Sequence, residues 1–208
     1  MDSENWNAKW IWHDEKQMIP GENGKYHQMV FFRREFYVPD SNCTLEIKVT
    51  ADSRYRLFLN DKSTSIGPCK GDSNTWYYET VDLSGKLKEG KNVLAAWVIH
   101  YGDYNTSPAG KAGPASVWRT SKGGFLLDGS LMDDNSSIVE DLSSGEGWKC
   151  LLDSAMSFEK EDFTLFVGGT EIVDGSKLPH GWRNINYNDD QWKAAVAVCD
   201  IMDRNWGL

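Results

Sequence analysis

The stretch Thr44-Leu45-Glu46-Ile47-Lys48-Val49-Thr50 alternates polar and apolar side chains from its first residue to its last. Successive side chains of an extended chain point to opposite faces, so Leu45, Ile47 and Val49 share one face. This pattern is typical of a strand in an antiparallel sheet, with one face on a core and the other in water. The stretch therefore predicts a half-buried β-strand and favours an all-β fold.

The same alternation recurs along the chain, whereas helical periodicity is almost absent. Residues 54–59 alternate again, and Asn60-Asp61 then supplies turn residues before a short strand at 63–67. Further strands are predicted at residues 31–38, 76–83, 93–101, 124–129, 148–152, 163–167 and 192–199. Many short strands separated by turns predict an antiparallel β-sandwich or jelly roll.

Two long segments interrupt this rhythm, at about residues 103–123 and 168–190. The first is rich in Gly, Ala, Ser and Pro, and the second contains Gly168-Gly169 and Pro179. Loops of this length in a compact domain usually carry function or motion. Neither has the composition of an interdomain linker, so the sequence predicts one β-sandwich domain over residues 1–208.

Charge and hydropathy exclude several classes of function. The 208 residues include 22 Lys and Arg against 31 Asp and Glu, a net charge of −9, without a basic cluster. This balance argues against nucleic acid or an anionic membrane as partner, and no apolar run approaches the roughly 18 residues of a membrane-spanning helix. The first residues lack the features of a secretion signal, so we expect a cytoplasmic protein, or a secreted one whose signal has been removed. The four cysteines have no C-x-x-C spacing and are expected to be reduced thiols.

Most catalytic motifs are absent from the sequence, including the serine nucleophile elbow, H-E-x-x-H and the phosphate-binding loop. The four histidines are scattered along the chain, so no metal trio is predicted. Glu171 and Asp174 lie three residues apart in Gly169-Thr170-Glu171-Ile172-Val173-Asp174-Gly175. One interpretation makes them loop carboxylates that accept hydrogen bonds from backbone N–H groups. The other makes them ligands of a hard cation such as calcium, or of sugar hydroxyls.

The ten tryptophans fall into two sets. Five lie in or beside strand patterns and are expected to pack in the core: Trp10, Trp12, Trp97, Trp148 and Trp192. Trp118 and Trp182 lie in the two long loops, Tyr101 precedes the first of them, and Trp76 follows a polar turn. A flat ring on a loop can stack on the C–H face of a sugar, so Trp76, Tyr101, Trp118 and Trp182 are predicted to bind carbohydrate. The alternative is that these rings pin the loops to the sandwich or pack on a neighbouring domain.

Several segments together resemble the amino-terminal β-sandwich of bacterial α-L-rhamnosidases. They are Arg33-Arg34-Glu35-Phe36, Thr50-Ala51-Asp52-Ser53-Arg54-Tyr55-Arg56-Leu57-Phe58-Leu59-Asn60, the run from Gly67-Pro68-Cys69-Lys70-Gly71-Asp72 into residues 76–83, Lys91-Asn92-Val93-Leu94-Ala95-Ala96, His100-Tyr101-Gly102 and Gly123-Gly124-Phe125-Leu126-Leu127. Near the end, residues 169–174, Gly181-Trp182 and Asp189-Asp190-Gln191-Trp192-Lys193-Ala194-Ala195 resemble that family's "G-E-x-x-D-A … G-W … D-D-x-W-x-x-A" segment. The resemblance covers nearly the whole chain and implies a jelly roll of the galactose-binding-like type.

The resemblance also carries functional expectations. In α-L-rhamnosidases the inverting hydrolysis is performed by carboxylates of an (α/α)6 barrel, and no segment here resembles that barrel. The resemblance therefore implies that this chain alone is not an enzyme, but a carbohydrate-recognition or scaffold module of a bacterial glycoside hydrolase active in carbohydrate metabolism. Its expected partners are a rhamnose-containing glycan and a catalytic barrel in a longer parent chain. The alternative is a purely structural sandwich that packs on the catalytic domain without binding sugar.

Calcium enters the expectations through the same resemblance. Some sandwiches of the family bind rhamnose together with a calcium ion. The family's usual D-A-R is here Asp174-Gly175-Ser176, so the arginine is absent. Glu171 and Asp174 remain the predicted metal ligands if calcium binds.

Overall fold

Two antiparallel sheets packed face to face form the protein in the computed structural model, which describes residues 6–14, 27–69, 71, 76–101, 122–159 and 170–200. The strands are β1 (Lys9–Trp12), β2 (Gln28–Val38), β3 (Thr44–Asp52), β4 (Arg54–Leu59), β5 (Lys62–Gly67), β6 (Glu79–Asp82), β7 (Gly90–His100), β8 (Gly124–Asp128), β9 (Ser130–Met132), β10 (Ile138–Asp141), β11 (Lys149–Leu152), β12 (Met156–Glu159), β13 (Thr170–Val173), β14 (Lys193–Ala194) and β15 (Val196–Asp200). A 3₁₀ turn follows β6 at Ser84–Lys86 and another follows β13 at Gly175–Lys177.

Sheet I has the strand order β14-β11-β2-β7-β4-β5. Sheet II has the order β10-β9-β3-β8-β1-β15, with β6 also paired to β3, and β12 and β13 form a separate hairpin. Consecutive strands cross repeatedly from one sheet to the other, as they do in jelly rolls. The prediction of an antiparallel β-sandwich is confirmed. The part of the chain that the structure describes contains no helix long and apolar enough to cross a membrane.

The alternation of the opening stretch is confirmed in β3. Leu45, Ile47 and Val49 are buried, and they face a core whose members come from both sheets. The turn after β4 is also as predicted: Asn60 and Asp61 have φ values of 48° and 70°. Two consecutive positive φ values are the signature of the type I′ turn, whose twist matches that of the flanking strands.

The outer face of each sheet carries a second, smaller apolar cluster. On sheet II, Trp10 and Leu126 pack with Trp76. On sheet I, Phe31 and Phe58 pack with rings from residues 178–192, which we call the covering segment. The predicted strand at 163–167 lies outside the described residues. All four cysteines lie within them and none forms a disulfide bond, and burial raises the pKa of the Cys150 thiol to about 11.

Candidate functional site

Trp76, the first of the predicted carbohydrate-binding residues, lies inside the protein. Its side chain is only 7% exposed and meets the ring of Trp10 edge to face, with centroids 6.3 Å apart. Its indole Nε1 donates to Thr50 Oγ1 at 3.2 Å. Both the ring and its polar group are therefore engaged within the chain, as the packing alternative for these aromatics requires.

Trp182 is also buried, with 9% of its surface exposed. It contacts Phe31 and Phe58 edge to face, at centroid distances of 4.9 Å and 5.7 Å, and lies stacked beside Trp192 at 6.3 Å. These contacts attach the covering segment to sheet I. Trp182 acts here as an anchor of a loop and presents no open ring face.

A buried arginine fastens the same segment. Arg33 projects from the outer face of β2 with a fully buried side chain, and its Nε donates to Asp189 Oδ2 at 2.9 Å. Its Nη1 donates to the carbonyl oxygens of Trp182 and Asn184, and its Nη2 pairs with Glu35 at 3.0 Å. All three nitrogens of this guanidinium donate to acceptors, which is the condition for burying a charge at modest cost.

Asp189 completes this ion network. Lys149 Nζ lies 2.6 Å from its Oδ1, whereas Arg33 binds its Oδ2. Burial alone would raise the pKa of Asp189, but the hydrogen bonds from Lys149 and Arg33 and the charges of both outweigh it, so the pKa lies below its ordinary value. The carboxylate is held in its charged form by two cations.

Tyr101 lies in a different environment, at the end of β7, and is half-buried. Its carbonyl oxygen is 2.9 Å from His27 Nδ1, and the two rings meet edge to face at 5.4 Å. Its backbone N–H donates to Ser53 Oγ at 3.2 Å. Of the three predicted residues that the structure describes, Tyr101 has the largest exposed fraction. The fourth, Trp118, lies outside the described residues.

Several chain segments meet around Tyr101, and we call this region the Tyr101 end of the sandwich. It contains His13 after β1, residues 27–28 at the start of β2, residues 52–53 between β3 and β4, residues 100–101 at the end of β7, and residues 123–124 at the start of β8. Three of these segments, with the sequences Asp52-Ser53, His100-Tyr101 and Gly123-Gly124, belong to the motifs that carry the family resemblance.

Three of the four histidines belong to this end, although sequence analysis regarded them as scattered. The β2–β7 register places Gln28 opposite His100, which brings His27 and His100 together across 73 positions of sequence. His13 Nε2 reaches Gln28 Oε1 at 3.4 Å. The feature that could have predicted this is the pairing of β2 with β7. Both strands have eleven residues, so the start of one lies beside the end of the other and brings these histidines together.

A polar network forms the floor of the Tyr101 end. Asp52 is completely buried, and its Oδ1 accepts from Ser53 Oγ at 3.2 Å and lies 3.7 Å from His100 Nε2. His100 itself is buried beside the ring of Trp12, at a centroid distance of 6.4 Å. Ser53 Oγ donates to a carboxylate rather than to a histidine, so this is not the geometry of a serine nucleophile activated by imidazole.

The margin of the network is closely packed. Gln28 Oε1 accepts from Trp12 Nε1 at 3.0 Å and contacts His13, whose pKa burial lowers below the ordinary value against the opposing effect of the Gln28 hydrogen bond. A Cβ at Gly123 would lie 2.4 Å from two ring atoms of Trp12, so only glycine allows this close approach. The Tyr101 end thus offers both hydrogen-bond donors and hydrogen-bond acceptors next to half-buried rings.

The predicted calcium ligands do not form such a cluster. Asp174 Oδ1 accepts from Ser176 N and Oγ at 3.1 Å and 2.7 Å, and its Oδ2 pairs with Lys177 at 3.1 Å. These bonds lower the pKa of Asp174, with the Ser176 hydroxyl as the largest cause. Glu171 is exposed on β13, and no three His, Cys, Asp or Glu side chains within the described ranges come together as metal ligands. The residues present do not fit a calcium ion, and the geometry matches the alternative of carboxylates that bind backbone N–H groups.

The chain is similar to known proteins over most of its length. A family model described as the alpha-L-rhamnosidase N-terminal domain matches residues 43–204. A comparison with curated proteins gives no match. Among solved structures, a GH78 family rhamnosidase of Bacillus sp. GL1 is 23% identical with a TM-score of 0.76, over 97% of this chain and 19% of the other.

Two further solved structures share the fold. An alpha-L-rhamnosidase of Streptomyces avermitilis, complexed with L-rhamnose, is 18% identical with a TM-score of 0.60, over 96% of this chain and 15% of the other. A lectin of Pleurotus ostreatus, in complex with GalNAc, is 16% identical with a TM-score of 0.57, over 96% of this chain and 45% of the other. The chain thus spans about a fifth or less of the rhamnosidase chains, at 19% and 15%. On the match of the family model, the chain belongs to the family of alpha-L-rhamnosidase N-terminal domains.

Proposed function

We propose that this chain is a non-catalytic carbohydrate-recognition module of an α-L-rhamnosidase-like glycoside hydrolase, and that it binds sugar at the Tyr101 end. One observation carries the proposal: the buried Asp52–Ser53–His100 network lies directly beneath the half-buried Tyr101. Burying a carboxylate is costly unless polar partners compensate it, so such a network needs a structural or functional reason.

The chemistry of this end suits a carbohydrate. Sugar hydroxyls both donate and accept hydrogen bonds, and the side chains of His13, His27 and Gln28 supply both functions at the margin of the network. Tyr101 adds a partly exposed ring, against which the C–H face of a pyranose can pack. A ligand with hydroxyl groups and one apolar face therefore matches this end better than a purely apolar or a charged one.

The comparisons support the proposal at the level of the fold. The similar Streptomyces avermitilis enzyme is complexed with L-rhamnose and the similar Pleurotus ostreatus lectin with GalNAc. At identities of 18% and 16%, this likeness shows a shared fold alone. We propose a rhamnose-containing glycan as the ligand and a catalytic (α/α)6 barrel as the partner domain.

Titration of the chain with L-rhamnose, followed by calorimetry and by NMR shifts, tests the proposal. We expect saturable binding that Tyr101→Ala weakens about tenfold, since an aromatic platform contributes on the order of 1 kcal/mol or more. Tyr37→Ala is the matched control, because Tyr37 is 64% exposed at the opposite end of β2. No heat and no shift at millimolar sugar, or equal weakening by both variants, would contradict binding at this end.

The alternative function, a structural sandwich that packs on a catalytic domain, has its own supporting observation. Ile66 lies on β5 and Ile138 and Val139 on β10, the edge strands of the two sheets, and all three side chains are exposed. Exposed apolar residues on sheet edges are a liability that a neighbouring domain would cover. This alternative predicts that Ile138→Lys reduces self-association of the chain in sedimentation velocity, while rhamnose has no effect.

A further inference from the structure

Two arginines from distant parts of the chain lie over one phenylalanine on the outer face of sheet I. The guanidinium carbon of Arg56, on β4, is 5.4 Å from the ring centroid of Phe58. That of Arg183, in the covering segment, is 4.7 Å from the same centroid. The two guanidinium carbons are therefore at most the sum of these distances, about 10 Å, apart, which is within the span of one sugar ring and its substituents.

Both guanidinium groups have N–H donors that could bind a ligand. Arg56 Nε donates to Ser63 Oγ at 3.1 Å, and Arg183 Nε pairs with Asp61 Oδ1 at 2.9 Å. Within the described part of the chain, the terminal nitrogens of both arginines have no hydrogen-bond partner. Arg183 is 39% exposed, and Arg56 is exposed as well. The fork of terminal N–H groups is the one that matches a carboxylate in bidentate geometry.

The position of the pair is electrostatically unusual for this protein. The whole chain has a net charge of −9, yet Arg54 and Arg56 lie two residues apart on one face of β4, and Arg183 lies over Phe58 of the same strand, where Asp61 pairs with it. Positive charges on one face of a sheet repel one another, and an anion bound beside them reduces that repulsion. Contact of both cations with the buried ring of Phe58 keeps them in place before any ligand arrives.

An apolar surface adjoins the arginine pair. Trp97 lies directly opposite Arg56 in the β4–β7 register, is partly exposed, and stacks on Phe31 with an interplanar angle of 9°. A partly exposed indole next to cationic donors suits a ligand with an apolar ring face and a carboxylate. We propose that Arg56, Arg183 and Trp97 form a second binding site, separate from the Tyr101 end, for the carboxylate-bearing ring of a uronic acid.

The experiment is an NMR titration of the full chain with D-galacturonate, observing the Arg Nε–H and Trp97 indole signals. D-galactose has the same ring without the carboxylate, and acetate has the carboxylate without the ring. We expect saturable shifts with galacturonate, none with galactose, and weaker binding of acetate. Arg56→Gln and Arg183→Gln should each weaken galacturonate binding about tenfold, as loss of a charge-assisted hydrogen bond does.

Lys86→Gln is the matched control, because it removes one positive charge from an exposed turn elsewhere in the chain. Equal shifts with galactose and galacturonate, no shift with galacturonate, or equal weakening by Lys86→Gln and Arg183→Gln would each overturn the site. Acetate binding as tightly as galacturonate would overturn its assignment to a sugar. Tyr101→Ala should leave galacturonate binding intact, so this proposal and the proposed function fail or succeed separately.

Discussion

Trp182 and Tyr101 were both predicted to bind sugar, yet they lie in opposite kinds of surroundings. Trp182 packs among Phe31, Phe58 and Trp192 on the outer face of sheet I. Tyr101 is half-buried above a network of carboxylate, hydroxyl and imidazole groups. The surface beneath each ring therefore determines whether the ring packs or stays accessible. An apolar sheet face has to be covered by rings, whereas a polar end leaves a ring partly exposed for recognition.

The two regions also differ in what holds them. The covering segment is attached by burial of large rings together with the ion pairs of Arg33. The Tyr101 end is held by strands that continue into both sheets, so its side chains are placed by backbone pairing. Attachment through side chains predicts that single substitutions detach the covering segment, and that the Tyr101 end tolerates them.

The largest effect is expected for Arg33→Met, which leaves Asp189 and Glu35 without their shared cation. Removal of one partner of a buried ion pair costs about 3–5 kcal/mol of the free energy of unfolding. We expect a loss of this size in urea unfolding, with a red shift of tryptophan fluorescence as Trp182 and Trp192 become exposed. Arg56→Met, an exposed arginine on the same face of the same sheet, is the control and should change stability by less than about 1 kcal/mol.

An Arg33→Met protein as stable as the wild type would show that the rings alone hold the covering segment. The covering segment would then differ from the Tyr101 end only in being attached by apolar burial.

The second prediction compares the two rings directly. Trp182→Ala removes a buried ring and should cost about 3 kcal/mol or more, whereas Tyr101→Ala removes a half-buried one and should cost less than half as much. Thermal unfolding by calorimetry measures both, and L-rhamnose titration of the folded variants gives the functional half. We expect binding to survive Trp182→Ala and to weaken in Tyr101→Ala. The reverse result would make Trp182 the recognition residue and Tyr101 a packing residue.

Part of this arrangement was predictable from the sequence because it depends on local pattern. The alternation of residues 44–50 fixes which side chains of β3 are buried, and Asn60-Asp61 specifies its turn through the conformations these residues tolerate. Strands β9 and β10 are too short, at three and four residues, for period-two alternation to stand out. Length therefore favours prediction, although β6 and β11, of four residues each, were also predicted within 76–83 and 148–152.

The candidate site was less predictable because it depends on pairing between distant segments. Trp182 lies in a polar, glycine-containing loop, and no local feature of that loop predicts that its ring packs on Phe31 and Phe58 of sheet I. Arg33 was notable only as part of a family-like motif, since its acceptors in the covering segment lie about 150 residues away. His13, His27 and His100 become neighbours only once the strand register is known. Tertiary packing decides such contacts, and it overrides the local signal.

The third prediction uses the ionisation of Asp189 to test the fastening of the covering segment. Its pKa is lowered in the folded state, so its charge stabilises the fold above the unfolded value of about 3.9, and this contribution is lost as the pH falls through the lower folded value. Asp189→Asn should therefore be less stable than the wild type near neutral pH, and the difference should shrink below about pH 4. Urea unfolding of both proteins across this range measures the difference. A difference that stays constant with pH would mean that Asp189 acts through packing and not through charge.

The smallest effect on stability is expected from calcium, whose predicted ligands Glu171 and Asp174 lie on and just after β13, outside both regions. Both oxygens of Asp174 are engaged by Ser176 and Lys177, one of them a cation, so a divalent ion has to displace these bonds before it binds. We expect thermal unfolding in millimolar calcium and in a chelator to give the same midpoint, and Asp174→Asn to leave any rhamnose affinity unchanged. Lys177→Met sharpens the test, because it frees Oδ2 without adding a ligand. A calcium-dependent rise in the midpoint of this variant alone would show that the lysine occupies the place of a cation, and a rise in the wild type would restore Glu171 and Asp174 as metal ligands.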